Sequence, residues 1–439
     1  MKPVIQLALD LVNLKQALRI AAEAWEGGVD WLEAGTPLIK SEGLDAVREL
    51  RRACPKARIV ADMKVMDAGR VETECAAKAG ADIVHVLGLA SDATIAECIE
   101  AARHYDAEIC VDLVGLPDAE AMVRRAQEVE RMGAAGVCVH TPIDMQMRGV
   151  APFEFLRAVA SAVSIPVAVA GGINSETAGE AVAAGASIII VGGAITKAPD
   201  AKAAAAAIRR AVDGGRPVAT ELFKRVGEEG IAEVFRRASA ADVTGALHNA
   251  GAIEGLSAVT PGAKLVGRAL TVWTYPGDWA KPVEAIDHAE PGQVIVVDAG
   301  GRPPAVWGEL ASMSCLQRKV AGVVIDGAIR DTAEIRRLGF PAFARLVTPV
   351  AGEQKGQGMI GVPLRIGGQY IRPRDWIVGD DDGVVVVPRE KAVEAANRAQ
   401  AVLEHEGRVM AEIGRGRTLG EVSELLRWEQ VRKGGHGSE

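Results

Sequence analysis

Asp62, Lys64 and Asp67 are the side chains of this sequence whose types and spacing point most directly to chemistry. They lie at the C-terminal end of the apolar run IVADMKV (59–65) or just after it. In a buried strand, Asp62 and Lys64 would face the same side because they are two residues apart. Charges at the end of an apolar strand are costly to desolvate unless they neutralise each other or serve a ligand. This stretch alone leaves two interpretations open, a structural Asp–Lys pair and a reaction centre.

Short apolar runs alternate with amphipathic helical patterns along residues 1–212. The runs are VIQLALD (4–10), WLEAG (31–35), IVADMKV (59–65), IVHVLG (83–88), EICVDLVG (108–115), GVCVHTP (136–142), PVAVAGG (166–172) and SIIIVGG (187–193). Continuous apolar strands that alternate with helices indicate a parallel sheet covered on both faces. Eight strand–helix pairs predict a (β/α)8 TIM barrel over residues 1–212, with an open doubly wound sheet as the alternative.

In a barrel of this kind, the reacting groups lie at the C-terminal ends of the strands. The predicted strands end in Asp10, Glu33, Asp62, Lys64, Asp67, Asp112, His140, Gly171–Gly172 and Gly192–Gly193. Glycines after the seventh and eighth strands are typical of phosphate binding, because bare backbone N–H groups can approach the oxygens. A glycine pair alone is more often a turn, and His140 alone is more often a core residue. Their convergence on one rim is what indicates an active site.

The composition favours a soluble cytoplasmic protein. Of the 439 residues, 49% are hydrophobic, and no apolar run approaches the about 20 residues of a membrane span. The net charge of −8 excludes a broad basic surface for nucleic acid. The start MKPVIQLALD lacks the pattern of a signal peptide. Six cysteines without a CxxC pair predict reduced thiols, with Cys110 and Cys138 as small core residues.

The first half resembles a known enzyme family. The segments LALD, EAGTPLIKSEG, ADMKVMDAG, VHTPIDMQMRG, VAGGI and VGGAIT occur in the order and spacing of 3-hexulose-6-phosphate synthases, in the orotidine-monophosphate-decarboxylase superfamily. The similarity covers residues 3–212. It implies a Mg²⁺ (or Mn²⁺) ion held by Glu33 and Asp62, with Lys64 beside the reacting carbon. It also implies that Asp67 reaches into a neighbouring subunit, so that the barrel dimerises.

The resemblance implies an aldehyde-lyase that fixes formaldehyde in the ribulose monophosphate pathway. A divalent ion on two carboxylates can chelate a sugar's carbonyl and hydroxyl oxygens and stabilise an enediolate. Asp10, Lys64, Asp67 and His140 are the expected catalytic residues, with His140 as base. The enediolate of ribulose 5-phosphate would attack formaldehyde, or the reverse reaction would occur. The alternative is 3-keto-L-gulonate-6-phosphate decarboxylase, but Ile143 stands where those decarboxylases carry an Arg, and GTPLIKSEG is the synthase form.

The barrel pattern ends at DGGRP (213–217). Residues 213–238 are charged and are predicted to be mostly helical, with apolar side chains such as Leu222, Val226 and Phe235 available for packing. The sequence therefore predicts a linker and connecting helix over residues 213–234.

The second half has a different pattern. Its strand runs are KLVGRALTVWTY (264–275), VIVVDAGG (294–301), GVVIDGAIRD (322–331), PAFARLV (341–347) and DGVVVVP (382–388). These glycine-punctuated strands predict a layered or swivelling β/α domain over residues 235–425. Asp326, Arg330 and Asp331 lie close together at a strand-to-helix turn, where an Arg fork suits a carboxylate. Asp331 could equally be a plain helix N-cap.

The segments ADVTGALHNAG, VIVVDAGG, WGELAS, GVVIDGAIRDTAEIRRLGFPAFAR and GDDDGVVVVP resemble the RraA-like family, which includes pyruvate aldolases and a regulator of RNase E. By the aldolase pattern, Asp331 would bind a divalent metal, with Glu309 assisting through water. Arg330 would grip pyruvate, and the amides around Leu310 and Ala311 would hold its other oxygens. The resemblance also implies trimers and an oxaloacetate decarboxylase side activity.

The leading hypothesis is therefore a two-domain, metal-dependent lyase that forms homo-oligomers and binds neither nucleic acid nor membranes. A rival of another class is a regulator of ribonuclease activity acting through the RraA-like half. After residue 389 the sequence predicts an amphipathic helix, then a polar tail over 426–439. The end of this tail, KGGHGSE, is expected to be disordered.

Overall fold

The computed structural model describes residues 3–423, which divide into two units. One, the barrel unit, contains residues 3–146, 150–225 and 404–423. The other, the sheet unit, contains residues 147–149 and 226–403. The second predicted domain ran to residue 425, whereas the sheet unit ends at 403. The predicted tail over 426–439 lies outside the described residues.

The barrel unit is built on a closed barrel of parallel strands, in the order β1 to β8 among the described residues. The strands are β1 (Val4–Leu9), β2 (Trp31–Ala34), β3 (Arg58–Val65), β4 (Ile83–Leu87), β5 (Glu108–Asp112), β6 (Gly136–His140), β7 (Val167–Ala170) and β8 (Ile188–Val191). Pairing of Val4 with Ile188 closes the ring. The predicted TIM barrel is therefore confirmed, and the open doubly wound sheet is excluded.

Helices cover the outside of the barrel. They are α1 (Leu14–Glu26), α2 (Thr36–Glu42), α3 (Asp45–Ala53), α4 (Gly69–Lys78), α5 (Asp92–His104), α6 (Ala119–Met132), α7 (Ile143–Met147), α8 (Phe153–Ala160), α9 (Ala178–Ala183), α10 (Gly193–Thr196) and α11 (Ala201–Gly214). Asn13, Ser91, Asp118 and Asp200 cap α1, α5, α6 and α11 through their side chains, which satisfies N–H groups of the first turn. No helix within residues 3–423 is long and apolar enough to cross a membrane.

Small apolar side chains fill the inside of the barrel. Ala8, Val60, Cys110, Cys138 and Ala168 form one buried cluster there. Cys110 and Cys138 are 6% and 1% exposed, as predicted for core residues. Because this cluster is apolar, charged groups on the strands are expected at the strand ends.

The segment after the barrel differs from the prediction. Residues 213–238 were expected to be mostly helical, but the stretch 217–220 and the stretch 224–227 have no regular structure. After a 3₁₀ turn at Glu228–Gly230, α12 covers only Ile231–Arg237. Gly215 is left-handed, with a φ of 59°, and Pro217 follows it, a combination that ends α11.

The sheet unit contains a mixed sheet of nine strands within the described residues. Its strands are β9 (Ser257–Ala258), β10 (Leu265–Thr274), β11 (Val294–Asp298), β12 (Ala305–Trp307), β13 (Gly322–Ile329), β14 (Ala342–Val347), β15 (Gly358–Ile360), β18 (Trp376–Asp380) and β19 (Gly383–Val387), and β16 (Leu364–Ile366) pairs separately with β17 (Gln369–Ile371). The central strands β10, β11, β13 and β14 are parallel. Antiparallel pairs join β18 and β15 to β10, β19 to β18, and β9 to β14. All five predicted strand runs contain a strand.

Helices pack against this sheet. They are α13 (Ala240–Ala246), α14 (Ala280–His288), α15 (Glu309–Gln317), α16 (Thr332–Leu338) and the first part of α17 (Ala392–Gly414), and α18 (Leu419–Ser423) follows in the barrel unit. Residues 404–414 of α17 also belong to the barrel unit. There Glu412 is fully buried, and its carboxylate lies 2.9 Å from both Arg19 and Arg408. Arg408 also donates to the carbonyl of Ala198. This part of α17 is therefore an integral element of the barrel unit.

In the sheet unit, the buried carboxylate of Asp278 organises a loop. It accepts backbone N–H groups from Ala280, Lys355, Gly356 and Gln357 at 2.8–3.3 Å. Burial opposes ionisation, but these four donors lower the pKa of Asp278 below its ordinary value. The charged carboxylate therefore stabilises the folded state.

We expect Asp278→Asn to lower the free energy of unfolding by about 2 kcal/mol near neutral pH, because hydrogen bonds to a charged acceptor are the stronger ones. Because the pKa of Asp278 is lower in the folded than in the unfolded state, the carboxylate contributes its full stabilisation above the unfolded-state pKa of about 3.9. This stabilisation is lost as the pH falls through the folded-state pKa. The difference in free energy of unfolding between the variant and the wild type should therefore become smaller in acid. Urea unfolding at neutral and acidic pH measures it, with the exposed Asp287→Asn as control. A gap that is independent of pH would contradict the prediction.

Candidate active site

A cavity of about 520 Å³ opens at the C-terminal ends of the barrel strands. Its walls include most of the residues predicted for the first site, namely Asp10, Glu33, Asp62, Lys64, His140, Gly171, Gly172, Gly192 and Gly193. Asp67 is not among the lining residues. It is exposed, and its carboxylate accepts the N–H of Ala68. The structure therefore brings the predicted residues together except for Asp67.

Lys64 lies between two acidic side chains. Its Nζ is 3.0 Å from both carboxylate oxygens of Asp62 and 2.9 Å from Oδ2 of Asp112. The β3–β4 register shifts between Ala61 and Val65, and Lys64 has a φ of 48°. The simple two-residue alternation expected for β3 is therefore interrupted here. Strained backbone of this kind persists where the surroundings hold it, commonly at functional sites.

Asp112 links Lys64 to His140. Its Oδ2 atom lies 2.9 Å from Nδ1 of His140, as well as next to the lysine ammonium. Burial opposes ionisation, but His140 and Lys64 lower the pKa of Asp112 to about 2. Burial would also lower the pKa of His140, yet the bond to Asp112 raises it above its ordinary value. With Nδ1 bonded to Asp112, Nε2 is the ring nitrogen that remains to exchange protons with a ligand.

Glu33 and Asp62 form a second, more buried group with His85. One ligand atom from each of the three lies within 4.8 Å of the others. Burial and the neighbouring Asp62 raise the pKa of Glu33 to about 7, although Gln6 donates a 2.6 Å hydrogen bond to it. Burial would raise the pKa of Asp62 too, but His85 and Lys64 lower it below its ordinary value. Two carboxylates in this position repel each other unless a cation joins them.

His85 was missed by the sequence reasoning. Its Nδ1 lies 3.6 Å from Oδ1 of Asp62, and the side chain is buried. In the run IVHVLG, His85 stands between Val84 and Val86, so the pattern around it is that of an ordinary buried strand. The signal that could have found it is its position two residues after Ile83, which faces the barrel interior.

Asp10 faces the cavity, and its carboxylate lies next to Gly35 and Gly192. A Cβ atom at Gly35 would collide with its carboxylate, so only glycine fits beside it. Removal of water by the surrounding protein raises the pKa of Asp10, and Asp62 adds to this effect. At Gly171, which has a φ of 105°, a Cβ atom would lie 2.6 Å from the carbonyl of Thr141. The glycines at this end leave backbone exposed to the cavity.

A second cavity, of about 330 Å³, lies in the sheet unit. It is lined by all the residues predicted for the second site, Glu309, Leu310, Ala311, Arg330 and Asp331. The carboxylate of Asp331 lies 3.4 Å from Nε of Arg330 and accepts the Glu309 N–H at 3.2 Å. These residues follow the C-terminal ends of β12 and β13, where parallel sheets commonly bind ligands.

Asp331 occupies the N-cap position of α16 but makes no side-chain cap hydrogen bond. The interpretation of Asp331 as a plain N-cap is therefore wrong. A Cβ atom at Gly308 would lie 2.5 Å from its carboxylate, so the close approach requires glycine. Asp326, the third charge of this turn, is instead paired with Arg345 and does not line the cavity.

Comparisons with known proteins match each half separately. The family described as orotidine 5'-phosphate decarboxylase / HUMPS matches residues 3–208, and the RraA-like family, described as Aldolase/RraA, matches residues 240–386. The 3-hexulose-6-phosphate synthase of Staphylococcus haemolyticus (strain JCSC1435) is 41% identical over 211 residues, 48% of this chain and 99% of its own length. That of Bacillus subtilis (strain 168) is 40% identical over 212 residues, with the same coverage.

A crystal structure of 3-hexulose-6-phosphate synthase is 42% identical and covers 48% of this chain and 99% of its own, with a TM-score of 0.45. The sequence identity to curated synthases extends over nearly their whole length. The chain therefore belongs to the 3-hexulose-6-phosphate synthase family and is a lyase whose barrel is followed by an RraA-like domain.

Proposed function

We propose that the barrel condenses formaldehyde with D-ribulose 5-phosphate to give 3-hexulose 6-phosphate, or catalyses the reverse cleavage. The observation that carries this proposal is the adjacency of two groups in one cavity. A Lys64–Asp112–His140 array suited to proton transfer lies beside the buried Glu33–Asp62 pair. The sugar phosphate would extend from there toward the glycines at the ends of β7 and β8.

Glu33 and Asp62 fit a Mg²⁺ or Mn²⁺ ion. Hard divalent cations prefer carboxylate oxygens, and burial together with Asp62 raises the pKa of Glu33, so a cation between the two carboxylates would favour the charged form of Glu33. The pKa of His85 is raised well above its ordinary value: burial opposes this, but the Cys110 sulfur and Asp62 favour the charged ring. Nδ1 of His85 lies 3.6 Å from Oδ1 of Asp62, which places the imidazole to orient this carboxylate. When bound, the ion neutralises negative charge that develops on the sugar's oxygens.

The residues of the chain account for the proton movements. His140 takes a proton from the carbon next to the sugar's carbonyl, and Asp112 stabilises the imidazolium that results. The electron pair left on that carbon forms the new bond to formaldehyde. The imidazolium of His140 then returns its proton to the former aldehyde oxygen, so atoms and charge balance. Lys64, held by two carboxylates, stays charged and stabilises negative charge beside the reacting carbon.

The decarboxylase alternative is less well supported. Ile143 lines the cavity and is 53% exposed, at the position where the resemblance gives those decarboxylases an Arg. An apolar side chain there cannot supply the charge that an Arg would.

The position of Asp67 is consistent with a contact to a second copy of the chain. Its carboxylate is exposed and lies outside the cavity of its own barrel. We infer that the barrel dimerises and that Asp67 completes the neighbouring site. A trimer of the RraA-like unit is likewise a proposal that rests on family resemblance.

Formaldehyde consumption in the presence of ribulose 5-phosphate and Mg²⁺ tests the proposed reaction. Turnover by the wild type that chelation abolishes and Mg²⁺ restores would support it. Absence of turnover with ribulose 5-phosphate, together with CO₂ release from 3-keto-L-gulonate 6-phosphate, would support the decarboxylase instead.

For the RraA-like unit, we propose metal-dependent enolisation of pyruvate-type ligands. The convergence of Arg330, Asp331 and Glu309 on one cavity supports this proposal. Asp331 and Glu309 offer carboxylates for a divalent ion, and Arg330 offers two parallel donors for the ligand's carboxylate. The rival role, regulation of a ribonuclease, predicts capture of RNase E in a pull-down whatever the state of this cavity.

We expect Arg330→Lys to slow metal-dependent exchange of the methyl protons of pyruvate with deuterium by about 10- to 100-fold. The reason is that lysine cannot reproduce the two-pronged hydrogen bonding of a guanidinium. Proton NMR measures the exchange. Arg337→Lys, on the exposed side of α16 and paired with Glu334, is the matched control and should behave like the wild type. Equal exchange rates in both variants would refute the assignment of Arg330.

A further inference from the structure

Residues 218–225, here called the rim segment, are attached to the rim of the barrel after α11. The N–H of Val218 donates to the carbonyl of Ser175, whose hydroxyl donates back to the carbonyl of Val218. The N–H of Thr220 and the ammonium of Lys224 both bind Oε1 of Glu176, at 3.1 and 3.2 Å. These partners follow Gly171–Gly172 in the loop after β7, so the rim segment lies along the predicted phosphate end of the cavity.

Phe223 is the residue that the rim segment contributes to the cavity. It is buried, lines the cavity, and has a φ of 56°, which is unfavourable for a bulky side chain. Its carbonyl accepts a hydrogen bond from Asn174 at 3.2 Å, and its N–H donates to Glu404. Backbone strain of this kind persists only where neighbouring contacts over-determine it. The position of Phe223 is therefore fixed from both sides.

The ring of Phe223 packs directly over Gly193. A Cβ atom at Gly193 would collide with this ring, and the three nearest atoms to such a Cβ all belong to Phe223. Glycine at 193 is thus required by the rim segment as well as by any ligand. Residues 218–225 lie beyond residues 3–208, which match the barrel family.

Two cations flank the same ring. Nζ of Lys197 lies 5.9 Å from the ring centroid, and the guanidinium of Arg225 lies 4.1 Å from it. Lys197 lines the cavity, and no carboxylate among residues 3–423 forms an ion pair with it. Arg225 is 10% exposed at its side chain, and its nearest carboxylate, that of Glu404, is 3.8 Å away. Lys197 and Arg225 thus bring two positive charges close to one ring, with Glu404 as the nearest carboxylate of Arg225.

We propose that the rim segment is part of the barrel's substrate site, with Lys197 binding the substrate's phosphate and Phe223 closing the cavity over Gly193. This inference rests on the proposed synthase reaction, in which the substrate carries a phosphate. A phosphate carries up to two negative charges and accepts charge-assisted hydrogen bonds. Lys197 offers an ammonium that lines the same cavity as Gly192 and Gly193 and forms no ion pair within residues 3–423. Arg225 contacts the same ring, with its guanidinium 4.1 Å from the centroid, and adds a second positive charge near it.

The first test is Lys197→Met, which keeps the length of the side chain and removes its charge. We expect KM for ribulose 5-phosphate to rise about 10- to 100-fold, the size of a lost charged hydrogen bond, with kcat changed by less than about threefold. Lys202→Met is the control, since Lys202 is exposed and pairs with Glu26. Equal KM values in the two variants would overturn the role of Lys197.

The second test concerns the contact between Phe223 and Gly193. Gly193→Ala should raise KM because the methyl group displaces the ring, and Phe223→Ala should raise it because the cavity stays open. The double variant should be no worse than Phe223→Ala, since the collision is then gone. If the increase in KM of the double variant equals the product of the two single increases, the ring of Phe223 does not close this site.

Binding of inorganic phosphate separates failure of this inference from failure of the proposed reaction. Calorimetry should detect phosphate binding by the wild type and Lys202→Met, with about 10-fold weaker binding by Lys197→Met. If the wild type lacks turnover but shows this pattern, the synthase reaction fails and the phosphate site stands. If the wild type binds no phosphate, or Lys197→Met binds it equally well, the inference is overturned.

Discussion

Replacement of Asp62 by Ala is expected to lower kcat/KM for formaldehyde and ribulose 5-phosphate by about 10³-fold or more. Asp62 is one of two buried carboxylates proposed to hold the divalent ion, and it is also a partner of Lys64. Its loss removes a metal ligand and frees the ammonium to reorient. Removal of a single preorganised group from a charge-stabilising site costs about 10²- to 10³-fold, and a lost ligand adds to that cost.

The fold should survive this substitution. Lys64 keeps Asp112 as a partner, and removal of Asp62 relieves its repulsion with Glu33. Asp62→Ala also loses bonds from Thr36 and Lys64, so we expect its Tm without Mg²⁺ to lie modestly below that of the wild type, whereas the rise in Tm caused by Mg²⁺ should disappear. Asp45→Ala, which loses only an exposed pair with Arg48, is the control. Mg²⁺-dependent turnover above a tenth of the wild-type rate in Asp62→Ala would argue against this metal site.

Asp112→Asn is expected to lower kcat by about 10²- to 10⁴-fold, the usual contribution of a positioned acid–base group. Asp112 holds Nδ1 of His140 and the ammonium of Lys64 at once, so an amide would disturb both. The double variant Asp112→Asn/His140→Gln should be hardly worse than either single variant, because the residues act as one unit. Losses that multiply would show that they act independently.

The dependence of the reaction rate on pH should also differ between the wild type and Asp112→Asn. His140 must be unprotonated to act as base, and its pKa is raised above about 6.5 by Asp112. The wild-type rate should therefore rise with pH through that raised value. In Asp112→Asn the carboxylate is gone, so the acid limb should move to lower pH. An acid limb that stays in place would assign the titration to another group.

The barrel could be predicted from sequence because each strand is a continuous apolar run that ends in a polar residue or a glycine pair. The observed strands, such as β4 and β6, lie within the predicted runs or extend them by one residue. The rim residues followed from the same rule, since parallel strands bring their C-terminal ends together. Asp112 was predicted at the rim for this reason, but its hydrogen bond with His140 joins residues 28 positions apart and was not predicted.

Other features depend on contacts between residues distant in sequence. His85 has the pattern of a core strand residue, and only its neighbour Asp62 distinguishes it. Phe223 was not among the predicted residues; it lies in the segment 213–238, which was predicted to be mostly helical although glycines and Pro217 interrupt the pattern. The strands β12, β15, β16 and β17 have three residues each, too few for a detectable period.

The barrel unit is discontinuous along the chain, and this has a consequence for biosynthesis. Its buried Glu412, which neutralises Arg19, and Glu404, which holds Phe223, are translated only after all of the sheet unit. A ribosome that has just completed the rim segment therefore carries a barrel in which Arg19 has not yet met Glu412 and Phe223 has not yet met Glu404. Domains generally fold in the order of their synthesis, but the barrel unit needs residues from 404 onward, so we expect it to reach its final structure only after the sheet unit has been made.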